Sequence, residues 1–210
     1  RTLEDVGRLP TLTKQDIRTH REKMVAETRP RSALHHEATG GATGEPLVFY
    51  VSDDFRRWNW AAAVRAESWY GHQPGEKEAW IWGADRDLPA WKWSRRLKAR
   101  LKRQRWLNSF DMDEERMQAF AQILEHFQPA LIVGYTSSLY LFARYLENTK
   151  TSCIRPRAVE TSAEKLYGFQ RDMIERVFEC PVIDHYASRE LGAIAAQCLH
   201  GRMHVFDDLR

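Results

Sequence analysis

Residues 130–146, which read Ala-Leu-Ile-Val-Gly-Tyr-Thr-Ser-Ser-Leu-Tyr-Leu-Phe-Ala-Arg-Tyr-Leu, decide the fold class of this chain. The apolar run up to Gly134 is typical of a buried strand that ends in a tight turn. Ser137 and Ser138 then begin a predicted helix that extends through Leu139–Leu146. A strand followed directly by a helix is the building unit of α/β folds.

The same alternation is found on both sides of this stretch. Downstream, the pattern predicts a strand at 157–160, a helix at 164–179, a strand at 181–184 and a short helix at 190–198. Upstream, it predicts a short helix after the cap residue Thr13, strands at 47–51 and 78–83, and helices at 53–71, 92–106 and 114–127. We therefore expect an α/β fold in which mostly parallel sheets are flanked by helices.

The composition excludes several classes of protein. The chain has 210 residues, of which 43% are hydrophobic and 11% aromatic, so a disordered chain is excluded. No apolar run approaches the ~20 residues that a membrane-spanning helix needs. The three cysteines are odd in number and widely spaced, which predicts no disulfide framework and favours the cytoplasm.

A glycine-rich segment, Ala38-Thr-Gly-Gly-Ala-Thr-Gly-Glu-Pro46, precedes the first predicted strand. Its glycines allow tight turns that direct backbone N–H groups inward, and its threonines add hydroxyl donors, a combination that suits a phosphate chain. The segment lacks the lysine of a Walker loop and the glycine spacing of a dinucleotide fingerprint. The alternative interpretation is an ordinary glycine-rich surface loop.

A second polar segment, Asp184-His-Tyr-Ala-Ser-Arg-Glu-Leu-Gly192, follows a predicted strand. Ligands of open α/β sheets bind at the carboxyl ends of the strands, so these residues are candidates for a site. Tyr186 could stack on a planar base, and Glu190 could bind Mg²⁺ beside phosphates. The alternative is a strand-to-helix turn in which Glu190 favours the helix N-terminus.

Together the two segments resemble motifs of the adenylate-forming (acyl-CoA synthetase-like) superfamily. The first is similar to its TSGTTGxP loop, and residues 186–190 are similar to its YGxTE motif. Three further segments resemble the phenylacetate–CoA ligase branch, namely 133–139 (GYPSxL), 160–166 (SGAExL) and 9–18 (LP followed by K-x-D). The order of the motifs and their spread over nearly the whole chain point to the phenylacetate–CoA ligase, coenzyme F390 synthetase and CapK-like group.

The resemblance implies an activity. A substrate carboxylate would attack the α-phosphate of ATP, giving an acyl-adenylate and pyrophosphate, and the thiol of coenzyme A would then accept the acyl group. It also implies Mg²⁺, a small-molecule carboxylate substrate and, for the CapK-like proteins, a role in capsule polysaccharide biosynthesis. Residues 1–210 would be part of the large N-terminal nucleotide-binding domain, without the C-terminal lid domain. We expect such a fragment to bind ATP weakly and not to complete the reaction alone.

The resemblance also assigns roles to individual residues. The phosphate-binding loop would consist of Thr39, Gly40, Gly41, Ala42, Thr43 and Gly44. The adenine and acyl pocket would be lined, largely through the backbone, by Ser162, Ala163 and Glu164. Asp184 would contact the adenine edge and Tyr186 would stack on the ring, with Ser188 in the same nucleotide-binding set.

Two residues are assigned catalytic roles. Glu190 would bind Mg²⁺. Arg189 occupies the position of the Thr or Ser that meets the α-phosphate in the superfamily, and its charge could neutralise phosphate. Because this is a departure from the motif, a protein that binds nucleotide without turnover is a further interpretation.

Two other features of the sequence suggest different chemistry. Cys198 and His204 could be half of a Zn²⁺ site, although a structural site needs four ligands, and the alternative is a buried cysteine beside an unrelated histidine. The basic cluster 95–105, with tryptophans around it, could bind nucleic acid in a non-catalytic module. We favour an amphipathic helix that buries Trp93, Leu97 and Leu101, because acidic residues leave the net charge at only +3.

Overall fold

The computed structural model describes residues 3–39, 46–83, 93–151 and 153–207. The chain divides into two compact units, Arg1–Trp58 and Asn59–Arg210. Among the described residues, no helix is long and apolar enough to cross a membrane.

The first unit contains a short helix and a hairpin. Helix α1 (Lys14–His20) begins at the predicted cap, where the hydroxyl of Thr13 accepts from the backbone N–H of Asp16 over 3.1 Å. Strands β1 (Leu34–Ala38) and β2 (Val48–Ser52) pair antiparallel. Helix α2 (Asp53–Ser68) follows β2 directly and continues into the second unit. Short 3₁₀ helices cover Leu3–Arg8, Arg21–Met24 and Arg31–Ala33.

The second unit is an α/β layer structure. Its elements in chain order are β3 (Glu78–Trp82), α3 (Trp93–Leu101), β4 (Gln104–Asn108), α4 (Glu114–Phe127), β5 (Leu131–Tyr135), α5 (Thr136–Thr149), β6 (Ala158–Ser162), α6 (Gly168–Phe178), β7 (Val182–Ser188), β8 (Gly192–Gln197) and β9 (Met203–Val205). Within the described part of the chain, seven strands form one sheet in the order β4-β3-β5-β6-β7-β8-β9. The pairs from β4 to β7 are parallel and the last two pairs are antiparallel, which confirms the predicted α/β fold.

Successive side chains of the parallel strands point to opposite faces of the sheet, as strand geometry requires. Ile81, Ile132 and Val159 pack in a core with α4, α5 and α6. Their neighbours in the strands, which include Val133 and Ala158, form a second cluster with Tyr70 on the other face. Because both faces are covered, β5 and β6 are buried along almost their whole length.

Gly134 lies where the sheet and α5 approach most closely. A Cβ atom at this position would lie 2.8 Å from the carbonyl oxygen of Ile81 and 2.9 Å from Cγ of Leu139. The glycine therefore lets β3 lie beside β5 while the first turn of α5 packs over the strand end.

The helix predicted at 190–198 is wrong, because Gly192–Gln197 form strand β8. Gly192 has a φ of +69°, and an ideal Cβ there would lie 1.9 Å from Oδ1 of Asn59. Asn59 Oδ1 instead accepts from the backbone N–H of Ala193 over 2.9 Å. The turn at Gly192 reverses the chain onto β7, and the hairpin together with the Asn59 contact overrides the helical preference of the alanines.

The helix predicted at 92–106 is also too long. It ends at Leu101, Arg103 adopts a φ of +56°, and Gln104 begins the edge strand β4. The expected burial of its apolar stripe is wrong for two members, because Leu97 is 44% exposed and Leu101 is 75% exposed. The basic cluster is therefore divided between a helix, a turn and a strand.

Candidate active site

A cleft of about 330 Å³ lies at the carboxyl ends of β6 and β7. It is lined by Ala163, Glu164, Lys165, Asp184, His185, Tyr186 and Ala187. Ala163, Glu164, Asp184 and Tyr186 come from two segments of the sequence that we assigned to the nucleotide site. The fold brings these segments together because β6 and β7 are adjacent parallel strands, so their carboxyl ends meet at the same edge of the sheet.

The chain leaves β6 through a constrained turn. Ser162 lies opposite His185 in the register, and its hydroxyl donates to the carbonyl oxygen of His185 over 3.1 Å. The next residue, Ala163, has a φ of +68°, a left-handed conformation that costs a residue with a Cβ about 1–2 kcal/mol. Non-glycine residues held in this region cluster at functional sites.

Glu164 has a structural partner that the sequence does not reveal. Its carboxylate accepts from the backbone N–H of Ser137 over 2.7 Å and from the Ser137 hydroxyl over 3.0 Å. The carboxylate therefore satisfies a free N–H at the start of α5 and lies at the positive end of the helix dipole. This leaves the backbone of Glu164 as its contribution to the cleft.

Asp184 and Tyr186 present a carboxylate and an aromatic ring in the cleft. Tyr186 is 61% exposed, so one face of its ring is accessible to a planar ligand. Burial raises the pKa of the Asp184 carboxyl above its usual value, although the charge of Arg171 opposes this effect. Arg171 also donates to the carbonyl oxygen of Val182 and to Gln197 Oε1, which ties α6 to β7 and β8.

The predicted residues after Tyr186 lie beyond the cleft lining. Ser188 ends β7, and its hydroxyl accepts from the backbone N–H of Leu191 over 3.0 Å. Arg189 and Glu190 lie in the turn between β7 and β8, where Glu190 is exposed. The structure thus places Glu190 on a hairpin turn rather than among the residues that line the cleft.

The predicted phosphate-binding loop is described only at its ends, in the first unit. Thr39 exchanges hydrogen bonds with Leu47, since its N–H donates to the Leu47 carbonyl and its hydroxyl accepts from the Leu47 N–H, each over 3.0 Å. These bonds close the base of the loop. The predicted residues Gly40, Gly41, Ala42, Thr43 and Gly44 lie outside the described residues.

A buried polar network lies on the opposite face of β6 and β7. Glu160 accepts from the hydroxyl of Tyr70 over 2.6 Å and contacts Nδ1 of His185 over 2.8 Å. The side chains of Glu160 and His185 are only 9% and 12% exposed. Sequence patterns did not predict this pair, and the signal that could have found it is a glutamate inside a buried strand.

Electrostatics in this network favour an ion pair between Glu160 and His185. For Glu160, burial raises the pKa but the His185 charge and the hydrogen bonds from His185 and Tyr70 outweigh it, and the pKa of the carboxyl is lowered. For His185, burial lowers the pKa but the Glu160 carboxylate outweighs it, and the pKa of the imidazole is raised. Nearby, burial and the charge of Glu160 raise the pKa of Glu67 to about 7.

Cys198 and His204 lie together where β8 and β9 meet. The hydrogen bond with His204 lowers the pKa of the Cys198 thiol to about 7. However, no group of three or more His, Cys, Asp and Glu side chains is placed to hold a metal ion within the described ranges. The structure therefore supplies two of the four ligands that a structural zinc site needs, and it does not support the predicted Zn²⁺.

Comparison with solved structures identifies the architecture. An open conformation of 2-hydroxyisobutyryl-CoA ligase in complex with 2-HIB-AMP and CoA matches 94% of this chain, with a TM-score of 0.69 and 20% sequence identity. The fold is that of the adenylate-forming ligases. VinN matches 89% of the chain with a TM-score of 0.54 and 15% identity, and ATP-bound MatB from Rhodopseudomonas palustris matches 80% with a TM-score of 0.51 and 12% identity.

Among curated proteins, Protein CapK of Staphylococcus aureus is 28% identical over 214 residues, which covers 97% of this chain. The predicted resemblance to CapK is thereby confirmed in sequence, and the predicted resemblance to adenylate-forming ligases is confirmed for the fold. The chain spans less than half the length of these relatives, namely 45% of CapK and 48% of the 2-hydroxyisobutyryl-CoA ligase chain. No protein-family model matches the chain.

Proposed function

We propose that this chain is the nucleotide-binding part of an enzyme that activates a carboxylate with ATP as an acyl-adenylate and then transfers the acyl group to coenzyme A. The observation that carries the proposal is the cleft at the ends of β6 and β7. Two separated motifs, each matched to the superfamily on its own, contribute Ala163, Glu164, Asp184 and Tyr186 to this one cleft. The similarity to ligases whose structures contain AMP intermediates and CoA supports the same conclusion.

Formation of the acyl-adenylate requires the protein mainly to position the carboxylate and the α-phosphate. A carboxylate oxygen attacks the α-phosphorus, the bond from that phosphorus to the bridging oxygen breaks, and pyrophosphate leaves. In the proposed site Tyr186 stacks on the adenine and Asp184 accepts a hydrogen bond from its edge, so that the α-phosphate is held near the attacking oxygen. Holding two reactants in a reactive geometry can supply about 7–11 kcal/mol of the barrier.

The remaining assigned residues would interact with the phosphates. Thr39 to Gly44 would donate hydrogen bonds to the β- and γ-phosphates, and Arg189 would neutralise charge at the α-phosphate. Mg²⁺ in nucleotide sites is commonly held by one or two carboxylates together with substrate phosphates, and Glu190 offers an exposed carboxylate for that purpose. The ion would supply charge neutralisation.

The chain would form part of the large domain of the enzyme. Its coverage of 45% of CapK supports this assignment, and a lid domain would be contributed by sequence outside the 210 residues. Participation in capsule polysaccharide biosynthesis is proposed from the resemblance to CapK alone.

Pyrophosphate exchange tests the proposal directly. The complete protein is mixed with ATP, Mg²⁺, labelled pyrophosphate and a panel of aryl and alkyl carboxylates. We expect acid-dependent exchange that Asp184→Ala and Tyr186→Ala reduce by at least tenfold. Absence of exchange with every acid, together with no ATP binding in calorimetry, would refute the proposed function.

The complete protein also tests the alternative that the chain is a nucleic-acid-binding module. A binding module that uses the basic cluster 95–105 predicts salt-sensitive oligonucleotide binding that is lost when Arg95, Arg96, Lys102 and Arg103 are neutralised. The structure divides this cluster between α3, a turn and β4, so its basic residues do not lie on one helix. We therefore expect no such binding.

A further inference from the structure

Strand β7 presents different chemistry on its two faces. Asp184 and Tyr186 are on one face, with the cleft, and His185 lies between them with its side chain on the other face. Whatever fixes the side chain of His185 therefore also fixes the backbone that carries both cleft residues.

His185 is held from two directions. Its ring nitrogen Nδ1 is 2.8 Å from Glu160 Oε1, and its carbonyl oxygen accepts from the Ser162 hydroxyl over 3.1 Å. Glu160 is itself fixed, because Oε2 accepts from the hydroxyl of Tyr70 over 2.6 Å. The edge of the His185 ring also meets Phe206, with ring centroids 6.5 Å apart and planes at 89°.

We propose that the buried Glu160–His185 pair positions residues of the nucleotide cleft. The pair holds β7 in place, so that Asp184 and Tyr186 are oriented to bind a nucleotide. The proposal rests on the proposed function for the identity of the ligand. The side chains of Glu160 and His185 meet on the face of the sheet away from the cleft, so they act through the backbone of β7 and the residues next to His185.

The location of the pair argues for positioning rather than for stability alone. A buried ion pair is often no more stabilising than apolar residues of the same volume, because both charges lose their hydration. Here His185 lies between the cleft residues Asp184 and Tyr186 on β7, and the register of β7 against β8 shifts between Tyr186 and Ala187. The pairing of β6 with β7 ends at Ser162 and His185, and Tyr186 lies opposite Ala195 of β8 just before that shift. The contact of His185 with Glu160 therefore holds β7 at the point where its pairing with β6 stops.

The charge state of the pair depends on every ionisable group around it. Glu67 and Tyr70 face it from α2 and the segment that follows, His72 lies in the same segment, and Asp184 adjoins His185 on β7. Of these, Glu67 and Asp184 favour the charged imidazolium. Alkaline solution removes that charge, so nucleotide affinity should decline as pH rises through the raised pKa of His185.

Three variants and one control test the inference on the complete protein. Glu160→Gln keeps the shape but removes the charge, His185→Phe removes the donor, and His185→Asn places an amide N–H near the position of Nδ1. Ile174→Ala is the control, since Ile174 is fully buried in the helical core away from the cleft and its truncation costs about 2–5 kcal/mol of stability. Affinity for MgATP and for AMP is measured by calorimetry from pH 6 to pH 9, and amide hydrogen exchange is followed at residues 184–187.

We expect Glu160→Gln and His185→Phe to weaken nucleotide binding at least tenfold and to speed exchange at 184–187. His185→Asn should retain most of the affinity but lose its pH dependence. Ile174→Ala should be less stable yet bind as the wild type does.

Two outcomes would overturn the positioning role. The first is unchanged affinity and unchanged exchange at 184–187 in Glu160→Gln and His185→Phe. The second is an equal loss of affinity in Ile174→Ala, which would assign the effect to stability. Complete wild-type protein that binds neither nucleotide refutes the proposed function. Faster exchange at 184–187 in the variants of that same protein would still show that the Glu160–His185 pair holds β7.

Discussion

The carboxylate of Glu164 accepts two hydrogen bonds from Ser137, one from the backbone N–H over 2.7 Å and one from the hydroxyl over 3.0 Å. The two residues belong to segments 27 positions apart, and each follows a central strand of the sheet. The bonds join the exit from β6 to the first turn of α5, so the rim of the cleft is anchored to a helix terminus.

Glu164→Ala should therefore destabilise the protein. It removes a charged acceptor from the N-terminus of α5 and leaves a backbone N–H without its partner, which costs about 1–2 kcal/mol. Urea denaturation followed by circular dichroism measures the change. Asp172→Ala, at an exposed position of α6, is the control and should alter stability by no more than about 0.5 kcal/mol. Equal values for the two variants would contradict the anchoring role.

Ala163→Gly should stabilise the protein. The φ of +68° at this position carries a steric penalty for alanine that glycine escapes, and the gain is about 1 kcal/mol, partly offset by the greater freedom of glycine in the unfolded chain. Ala163→Val should lose stability, because a branched Cβ fits this conformation less well. Thermal unfolding of the two variants in parallel checks the sign, and a less stable glycine variant would show that the conformation is not strained.

Stability should fall as pH rises from about 5 through about 7, where Glu67 titrates in the folded protein, and further as His185 loses its proton. The folded-state pKa of Glu67 is about 7 against 4.5 in the unfolded chain, so the folded protein binds the extra proton between these values and loses stability as pH increases through them. His185, whose folded pKa is raised above 6.5, contributes stability below that pH and loses it as pH rises through the folded pKa. Chemical denaturation across this range measures both effects.

The Glu67 part of this slope can be isolated. Glu67→Gln removes the titrating group and should flatten the decline between pH 4.5 and about 7, an effect on the order of 2–3 kcal/mol when integrated. The part of the decline that comes from His185 should persist, because Glu160 is the main charge that raises the pKa of His185. A wild-type stability that rises with pH over this interval would be incompatible with these directions.

Tyr186 offers a test of nucleotide binding with little effect on folding. Since the ring is 61% exposed, Tyr186→Ala should change stability by less than about 1 kcal/mol. The loss of base stacking, worth about 1–3 kcal/mol, should weaken ATP and AMP binding roughly tenfold. Tyr186→Phe keeps the ring and should bind almost as the wild type does. Calorimetry measures the ATP and AMP affinities of the two variants. If Tyr186→Ala binds as tightly as the wild type, Tyr186 does not belong to the nucleotide site.

Local patterns predicted the elements whose signals lie within a few residues. Helix α4 was predicted at 114–127 and is observed there, because its apolar period is regular and Asp113 caps it, with Oδ1 accepting from the N–H of Arg116 over 2.8 Å. The strands β5 and β6 were likewise predicted to within about one or two residues, since their apolar runs are bounded by Pro, Gly and polar residues.

Elements that depend on distant partners could not be predicted in this way. Strand β1 carries His35, His36 and Glu37 and shows no strand-like apolar pattern, and it forms because β2 lies opposite. The alanines of β8 favour a helix by composition, and the strand forms through the turn at Gly192 and the contact of Ala193 with the distant Asn59. In the candidate site, motif resemblance selected residues that share a cleft, whereas the Glu160–His185 pair and the Glu164–Ser137 bonds depend on side chains that only the fold brings together.

Because the two faces of β7 carry different ionisable residues, electrostatic interactions help to fix the register of this strand. A shift by one residue would turn His185 toward the cleft and bring Asp184 onto the face of Glu160. Two carboxylates would then share a buried environment in which only one could ionise easily. The pairing of β6 with β7 is thus specified by charge as well as by apolar alternation, and a strand composed of apolar residues alone would lack that second safeguard against slippage.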